Sequence, residues 1–309
     1  MKTSTKKDTH NGIQPIRVLK HNLTHRLVDR NTELINELQL NFKLQSHIKY
    51  HIAELPLIEY QTPFIESNGH INIHESFLSY IWTITFSMFV MHEEGIVIPD
   101  YLKRGLKPPK QQNTEILDLA KELFDYSKSL IRVYSKWDKN YFPNPEYFDE
   151  NTDEGYYILR TNDLFVEVLN FILYHEIAHA EYEHLNNIQL NGLSNDEIKK
   201  LEIEADTRAI DLMLINCRNT NATVIAITIG LASMLFSRND LYGGSQHPNV
   251  DDRIENFLQK VDLADDSSVW TFLVLFLKLW EQQFSLNFKQ KNEYDTYKEL
   301  YYELLEQAK

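Results

Sequence analysis

His175 and His179 stand four residues apart in LYHEIAHAEYEH, residues 173–184, and Glu176 follows the first histidine directly. On a helix that spacing puts both imidazoles on one face about a turn apart, where they can converge on one ion. Glu176, offset by one residue, can reach a water on such an ion without ligating it, as a general base must. The string H-E-x-x-H also arises by chance, so the rest of the site has to be found elsewhere. A catalytic zinc needs a third protein ligand and keeps its fourth position open.

Two residues compete for that third place. His184 follows His179 by five, which on a continuous helix rotates it by about 140°, and no glycine stands there to turn the chain back. It is expected instead to meet the exposed carbonyls of the helix end, which favour a histidine. In LEIEADTRAIDLM, residues 201–213, Leu201, Ala205, Ala209 and Leu212 form a core stripe with Glu202 and Asp206 on its border. Glu204 shares a face with Arg208 and Asp211, at the spacing of a solvated Glu-to-Arg pair. Glu202 is therefore the expected ligand and Glu204 a surface residue. Asp206, one turn beyond Glu202, can accept a hydrogen bond from the far nitrogen of a ligand histidine and fix its tautomer.

These residues need two helices to carry them. Val166, Leu169, Leu173, Ile177 and Ala180 repeat at helical spacing, so a helix is expected from Asp163 to about His184, followed by a polar loop, NNIQLNG. Ser194 and Glu197 form the S-x-x-E capping box, which starts the second helix near Asn195. Upstream, FIESNGHINIH reads as a hairpin, within about 57–74, with Asn68-Gly69 in a type I′ turn and His70 and His74 on the surface. A buried helix over 75–98 and an amphipathic one from Ile116 to Trp137 come next. The Pro- and acid-rich stretch from Asn140 reads as a loop, YYILR at 156–160 as a short strand, NDLYGGSQHPNV as a Gly-rich turn, and the C-terminal third as helical through Leu305. Residues 1–30 are expected to be a loose tail, and 31–309 one domain with its active-site core at about 160–260.

Composition narrows the function. With 43% apolar and 25% charged residues the chain has ordinary globular usage. A formal charge of −14 argues against nucleic acid as a partner, since phosphate binding depends on clustered Lys and Arg. Cys217 is the sole cysteine, so no internal disulfide can form, and a cytoplasmic location is expected. The N-terminus shows no apolar run of the secretory kind. Apolar runs from Phe77, Ala222 and Val269 fall short of a span, so no membrane role is expected.

HEIAH, then EIEAD, then HPNVDDRI resemble the gluzincin pattern H-E-x-x-H, E-x-x-A-D and H-P-x-x-x-x-R of HtpX-like peptidases. The likeness extends further to the Lit family of bacterial phage-exclusion peptidases, because SFLSYIWTITFSMFV resembles that family's apolar upstream segment and the order, spacing and length also agree. Glu181 departs from the apolar residue zincins place at that position. The resemblance implies zinc on His175, His179 and Glu202, Glu176 as base, and an α+β, mostly helical zincin-like fold with a small β hairpin or sheet. It also implies cleavage of a translation elongation factor, Tu, during phage exclusion, with a phage-derived activator expected. His247, in the third motif, can donate to the oxyanion of the tetrahedral intermediate. Alternatively it holds its loop, with Pro248 opening a helix at the first position. Arg253 is expected to anchor acidic residues near the zinc helices. Rival readings are a peptidase cutting a repressor or antitoxin, a membrane quality-control peptidase of the HtpX kind, and a non-catalytic zinc protein; an intact Glu176 argues against the last.

Overall fold

The computed structural model of the protein describes residues 14–51, 62–131, 135–215, 217–289 and 294–309. Helices α1 (Lys20–Arg30) and α2 (Thr32–Leu40) precede strands β1 (Lys49–His51), β2 (Phe64–Ile65) and β3 (Ile71–His74). Then come α3 (Glu75–His92), α4 (Ile98–Lys103), α5 (Thr114–Leu130), α6 (Asp153–Glu181), α7 (His184–Asn191) and α8 (Asn195–Leu214). The chain ends with α9 (Thr220–Ala232), α10 (Val250–Lys260), α11 (Ser268–Phe284) and α12 (Tyr297–Ala308). This is the mostly helical α+β architecture expected, with a small sheet ordered β1-β3-β2. The described residues group into two compact units, one drawn from those within 14–22, 50–51 and 73–166 with Thr62, and the other from those within 23–49, 63–72 and 167–309.

The first unit is built around α3, which is largely apolar on every side and therefore buried on every side; among its residues only Phe89 is not buried. His74 accepts from the Ser76 amide at 3.1 Å and caps this helix, so it is a buried residue rather than the surface one expected. The helix packs against α5 and runs on through a π-turn at Glu93–Val97 into α4. Tyr157 and the Asn113 amide donate to the buried Glu94 carboxylate at 2.7 and 2.8 Å. The amphipathic helix ends at Leu130, short of Trp137, which is buried in a loop with its indole donating to Pro143 O; Tyr134 and the first residues of the expected hairpin, 57–61, lie outside the described residues.

Three sequence expectations are corrected here. Residues 15–30 are not a tail: a 3₁₀ turn, Pro15–Leu19, leads into α1, and Ile16, Leu19, Leu23 and Leu27 are buried at three- and four-residue steps. YYILR is not a strand but the start of α6, because Thr152 caps the Gly155 amide and Tyr157, Ile158, Thr161 and Phe165 bury one helical face. NNIQLNG forms most of α7, closed by Gly192 in the left-handed region.

In the second unit, α9 is the apolar centre and packs on α8, α10 and α11. The capping box on α8 forms as expected, with Ser194 accepting from the Glu197 amide and Glu197 from the Ser194 amide. Two helical stretches, Glu75–Lys103 and Thr220–Ser237, are long and apolar enough to cross a membrane, which the shorter runs read from sequence were not. Of their most apolar windows 72% and 67% lie buried inside the folded chain, as core helices do.

The β2–β3 hairpin pairs Phe64 with Asn72 and Ile65 with Ile71. Its turn is not the two-residue type I′ expected, since that requires positive φ at both central residues and only Gly69 has it, at +81°. Gly69 N donates to Glu66 O and Glu66 N to His70 O, a three-residue loop closed by a left-handed glycine. A Cβ at Gly69 would lie 2.6 Å from Lys43 O, so the tip is pressed against the chain after α2. Gly69→Ala should lower stability by about 1–3 kcal/mol in urea unfolding. Gly105→Ala, at φ +69° with no atom within 4 Å, should cost clearly less; equal losses would show that the close approach is unimportant.

Candidate metal centre

The last turns of α6 bring His175, Glu176 and His179 to one place, and α8 brings Glu202 and Asp206 to meet them. His175 Nε2 and His179 Nε2 lie 3.1 Å apart. The Glu202 oxygens lie 3.3 Å from His175 Nε2 and 3.4 Å from His179 Nε2. A tetrahedral ion with bonds of about 2.0–2.1 Å sets its ligand atoms about 3.3 Å apart, so this donor set fits such an ion. All three residues are buried, and among the described residues they form the one group of this kind.

The far nitrogens of both histidines are engaged. His175 Nδ1 meets Asp206 Oδ1 at 2.8 Å, the contact expected of Asp206. Arg253 clamps the same carboxylate, Nε to Oδ2 and Nη2 to Oδ1, both at 2.6 Å. His179 Nδ1 meets His184 Nδ1 at 2.9 Å, and His184 Nε2 meets Glu204 Oε2 at 3.1 Å. His184 was expected on the helix-end carbonyls and Glu204 on Arg208. Arg208 instead forks onto Glu181, with Nε and Nη2 each 2.8 Å from its oxygens.

The chain geometry explains that correction. The helix does not continue past Glu181: Glu183 takes the left-handed conformation, φ +55° and ψ +34°, and α7 starts afresh at His184. No glycine marks this turn, so the sequence offered no signal for it. A non-glycine residue there costs about 1–2 kcal/mol, and Lys43 holds it in place. Its ammonium pairs with the Glu183 carboxylate at 2.7 Å and donates to Glu181 O at 3.3 Å.

Glu176 lies beside the ligand atoms, half-buried, and its Oε2 accepts from the Ile65 amide at 3.0 Å. That amide points away from β3, because the neighbouring Glu66 amide serves the hairpin. His247 reaches Glu202 Oε2 with Nδ1 at 3.1 Å while its side chain stays 58% exposed. Its loop folds back tightly at Gly243, where a Cβ would meet Pro248 O at 1.7 Å. The helix after it begins at Val250 with Asn249 as N-cap, so Pro248 lies ahead of the first position expected for it.

Electrostatics follow from burial and these contacts. Burial is the main force lifting the Glu176 carboxyl to about 7. Burial also opposes ionisation of Asp206, but Arg253 and His175 outweigh it and hold Asp206 at about 2. The same opposition is overcome at Glu202 by His175, His247 and His179, which hold it far below the usual carboxylate range. Burial and the neighbouring His175 press His179 down to about 3. Burial lowers His175 too, yet Asp206 and Glu202 more than reverse that and raise it to about 10. A cleft of about 240 Å³ opens alongside, lined by Phe42, Lys43, Ile65, Glu66, His179 and Leu185 among others.

A mostly helical α+β protein with a buried two-histidine, one-carboxylate group able to hold a metal ion is the class that fold and site define. Residues 71–273, well over half of the chain, match the peptidase U49 family, and the chain belongs to that family. The match supports the likeness to Lit-like peptidases drawn from the motifs. No curated protein and no solved structure matches the chain. Membership makes the chain a peptidase and a protein its substrate.

Glu202→Ala should strip metal from purified protein, measured by elemental analysis after desalting. Glu181→Ala, which removes the partner of Arg208, should keep it. Equal metal content in the two variants would remove Glu202 from the ligand set.

Proposed function

We propose that this peptidase is a zinc-dependent endopeptidase of the gluzincin type. The carrying observation is the set of separations among His175 Nε2, His179 Nε2 and the Glu202 carboxylate, 3.1 Å between the two nitrogens and 3.3 and 3.4 Å from them to its two oxygens, with Glu176 alongside. Two imidazoles and one carboxylate with an open fourth position suit zinc chemistry in hydrolysis. Zinc bound there supplies Lewis-acid polarisation of the scissile carbonyl and acidifies water.

Glu176 takes the proton of the attacking water and delivers it to the leaving amine. The Ile65 amide holds its carboxylate in place. The substrate lies along β2, the edge strand of the sheet, and fills the neighbouring cleft by strand addition. His247 donates to the developing oxyanion. A site that held zinc only for structure would have no use for a half-exposed carboxylate at Glu176.

The substrate we propose is elongation factor Tu, cut in the cytoplasm during phage infection once a phage-derived activator is present. That choice rests on the resemblance of HEIAH, EIEAD, HPNVDDRI and the segment from Phe77 to Lit-family peptidases. The burial of the two long apolar helices favours it over a membrane quality-control role.

Glu176→Gln should keep zinc and fold but lower peptide hydrolysis by at least about 10²-fold. Undiminished hydrolysis would remove Glu176 as base. Co-expression with phage signals should yield a discrete elongation factor Tu fragment from the wild type and none from Glu176→Gln. An intact factor beside a cut repressor or antitoxin would transfer the substrate to that class. For His247→Ala, kcat should fall by about 10²–10³ with KM and zinc content nearly constant; loss of zinc instead would make it a support for Glu202.

A further inference from the structure

The geometry points to His184 as a positioning residue that sets the tautomer of His179, with Glu204 setting His184 in turn. The inference rests on the metal reading of His175, His179 and Glu202, and deepens it.

The contact between His179 Nδ1 and His184 Nδ1, 2.9 Å long, joins two ring nitrogens and needs one proton between them. If His184 supplied it, His179 would carry its own proton on Nε2. That proton would point at His175 Nε2, 3.1 Å away, and at Glu202 Oε1, 3.4 Å away, where the ion belongs. If His179 supplies it from Nδ1, Nε2 is bare and free to ligate.

Glu204 selects the second arrangement. Its carboxylate only accepts, and it faces His184 Nε2 at 3.1 Å. A neutral His184 therefore keeps its proton on Nε2 and leaves Nδ1 bare as an acceptor for His179. Every hydrogen bond then runs one way: His179 Nδ1–H donates to His184, and His184 Nε2–H donates to Glu204. His184 is only 1% exposed, so water does not replace it easily.

The parallel with the other ligand is close. His175 donates from Nδ1 to Asp206, itself clamped by Arg253. Partners on the outer nitrogen of a ligand histidine commonly contribute 10- to 100-fold in metal affinity. On the His179 side the final carboxylate is 53% exposed, so Glu204 is the weaker member and His184 the stronger.

The test is zinc affinity of the full chain, measured by competition with a chromophoric chelator and using zinc alone as probe. His184→Leu should weaken binding by about 10- to 100-fold. His184→Asn, whose side-chain oxygen falls near the place of Nδ1 and accepts a hydrogen bond, should restore most of it. Glu204→Ala should weaken binding less than His184→Leu. A Leu variant with wild-type affinity, or an Asn variant as weak as Leu, overturns the relay.

Should the Leu variant fail to fold, ¹⁵N spectra of histidine-labelled wild-type protein decide. A neutral His179 protonated at Nδ1 upholds the relay, and protonation at Nε2 overturns it. Zinc retained by Glu202→Ala, or wild type that binds none, defeats the metal reading itself. His184→Leu at full affinity beside a zinc-free Glu202→Ala defeats only the relay.

Discussion

Three electron-pair donors meet inside the protein at 3.1–3.4 Å from one another, and the rest of the centre answers to that crowding. Buried lone pairs and a buried carboxylate are costly unless positive charge or hydrogen-bond donors balance them. The site supplies the balance from outside the donor set. Arg253 neutralises Asp206, Asp206 accepts a hydrogen bond from the outer nitrogen of His175, and the largely exposed His247 touches Glu202. A cation at the focus would complete it, and residues that look frustrated as a hydrogen-bond network look ordinary as a ligand set able to hold a metal ion.

The backbone keeps this focus in register through helix ends rather than helix middles. Glu183 halts α6 in a left-handed turn, so His184 can come round to the back of His179. Lys43 braces that turn from the segment against which Gly69 packs. The hairpin thus does two jobs within one unit. Its tip abuts the chain that secures the helix end, and the Ile65 amide holds the carboxylate of Glu176.

The family assignment and the geometry support each other without overlapping. Matching residues 71–273 to peptidase U49 says that the chain is a peptidase. The donor separations say what a metal there would encounter, and the half-buried Glu176 beside them gives the proposed chemistry a proton acceptor at the right place.

What the sequence determined by itself were features set by short-range spacing. The i, i+4 histidines, Glu202 and Asp206 one turn apart, and the capping box of Ser194 and Glu197 are all relations within a turn or two of helix, so periodicity exposes them. The small-sheet, mostly helical class was readable for the same reason. The tertiary structure decided whatever depended on a chain reversal or on competition between partners. Residues 15–30 carried a helical stripe, but only its burial distinguishes a docked helix from a tail. Arg208 could have paired with Glu204 on its own helix, but it forks onto Glu181 across helices while Glu204 meets His184. His184 became a neighbour of His179 through a left-handed residue without a glycine to announce it. Such a turn is held by a distant lysine, and no local pattern encodes a contact that spans the sequence from 43 to 183.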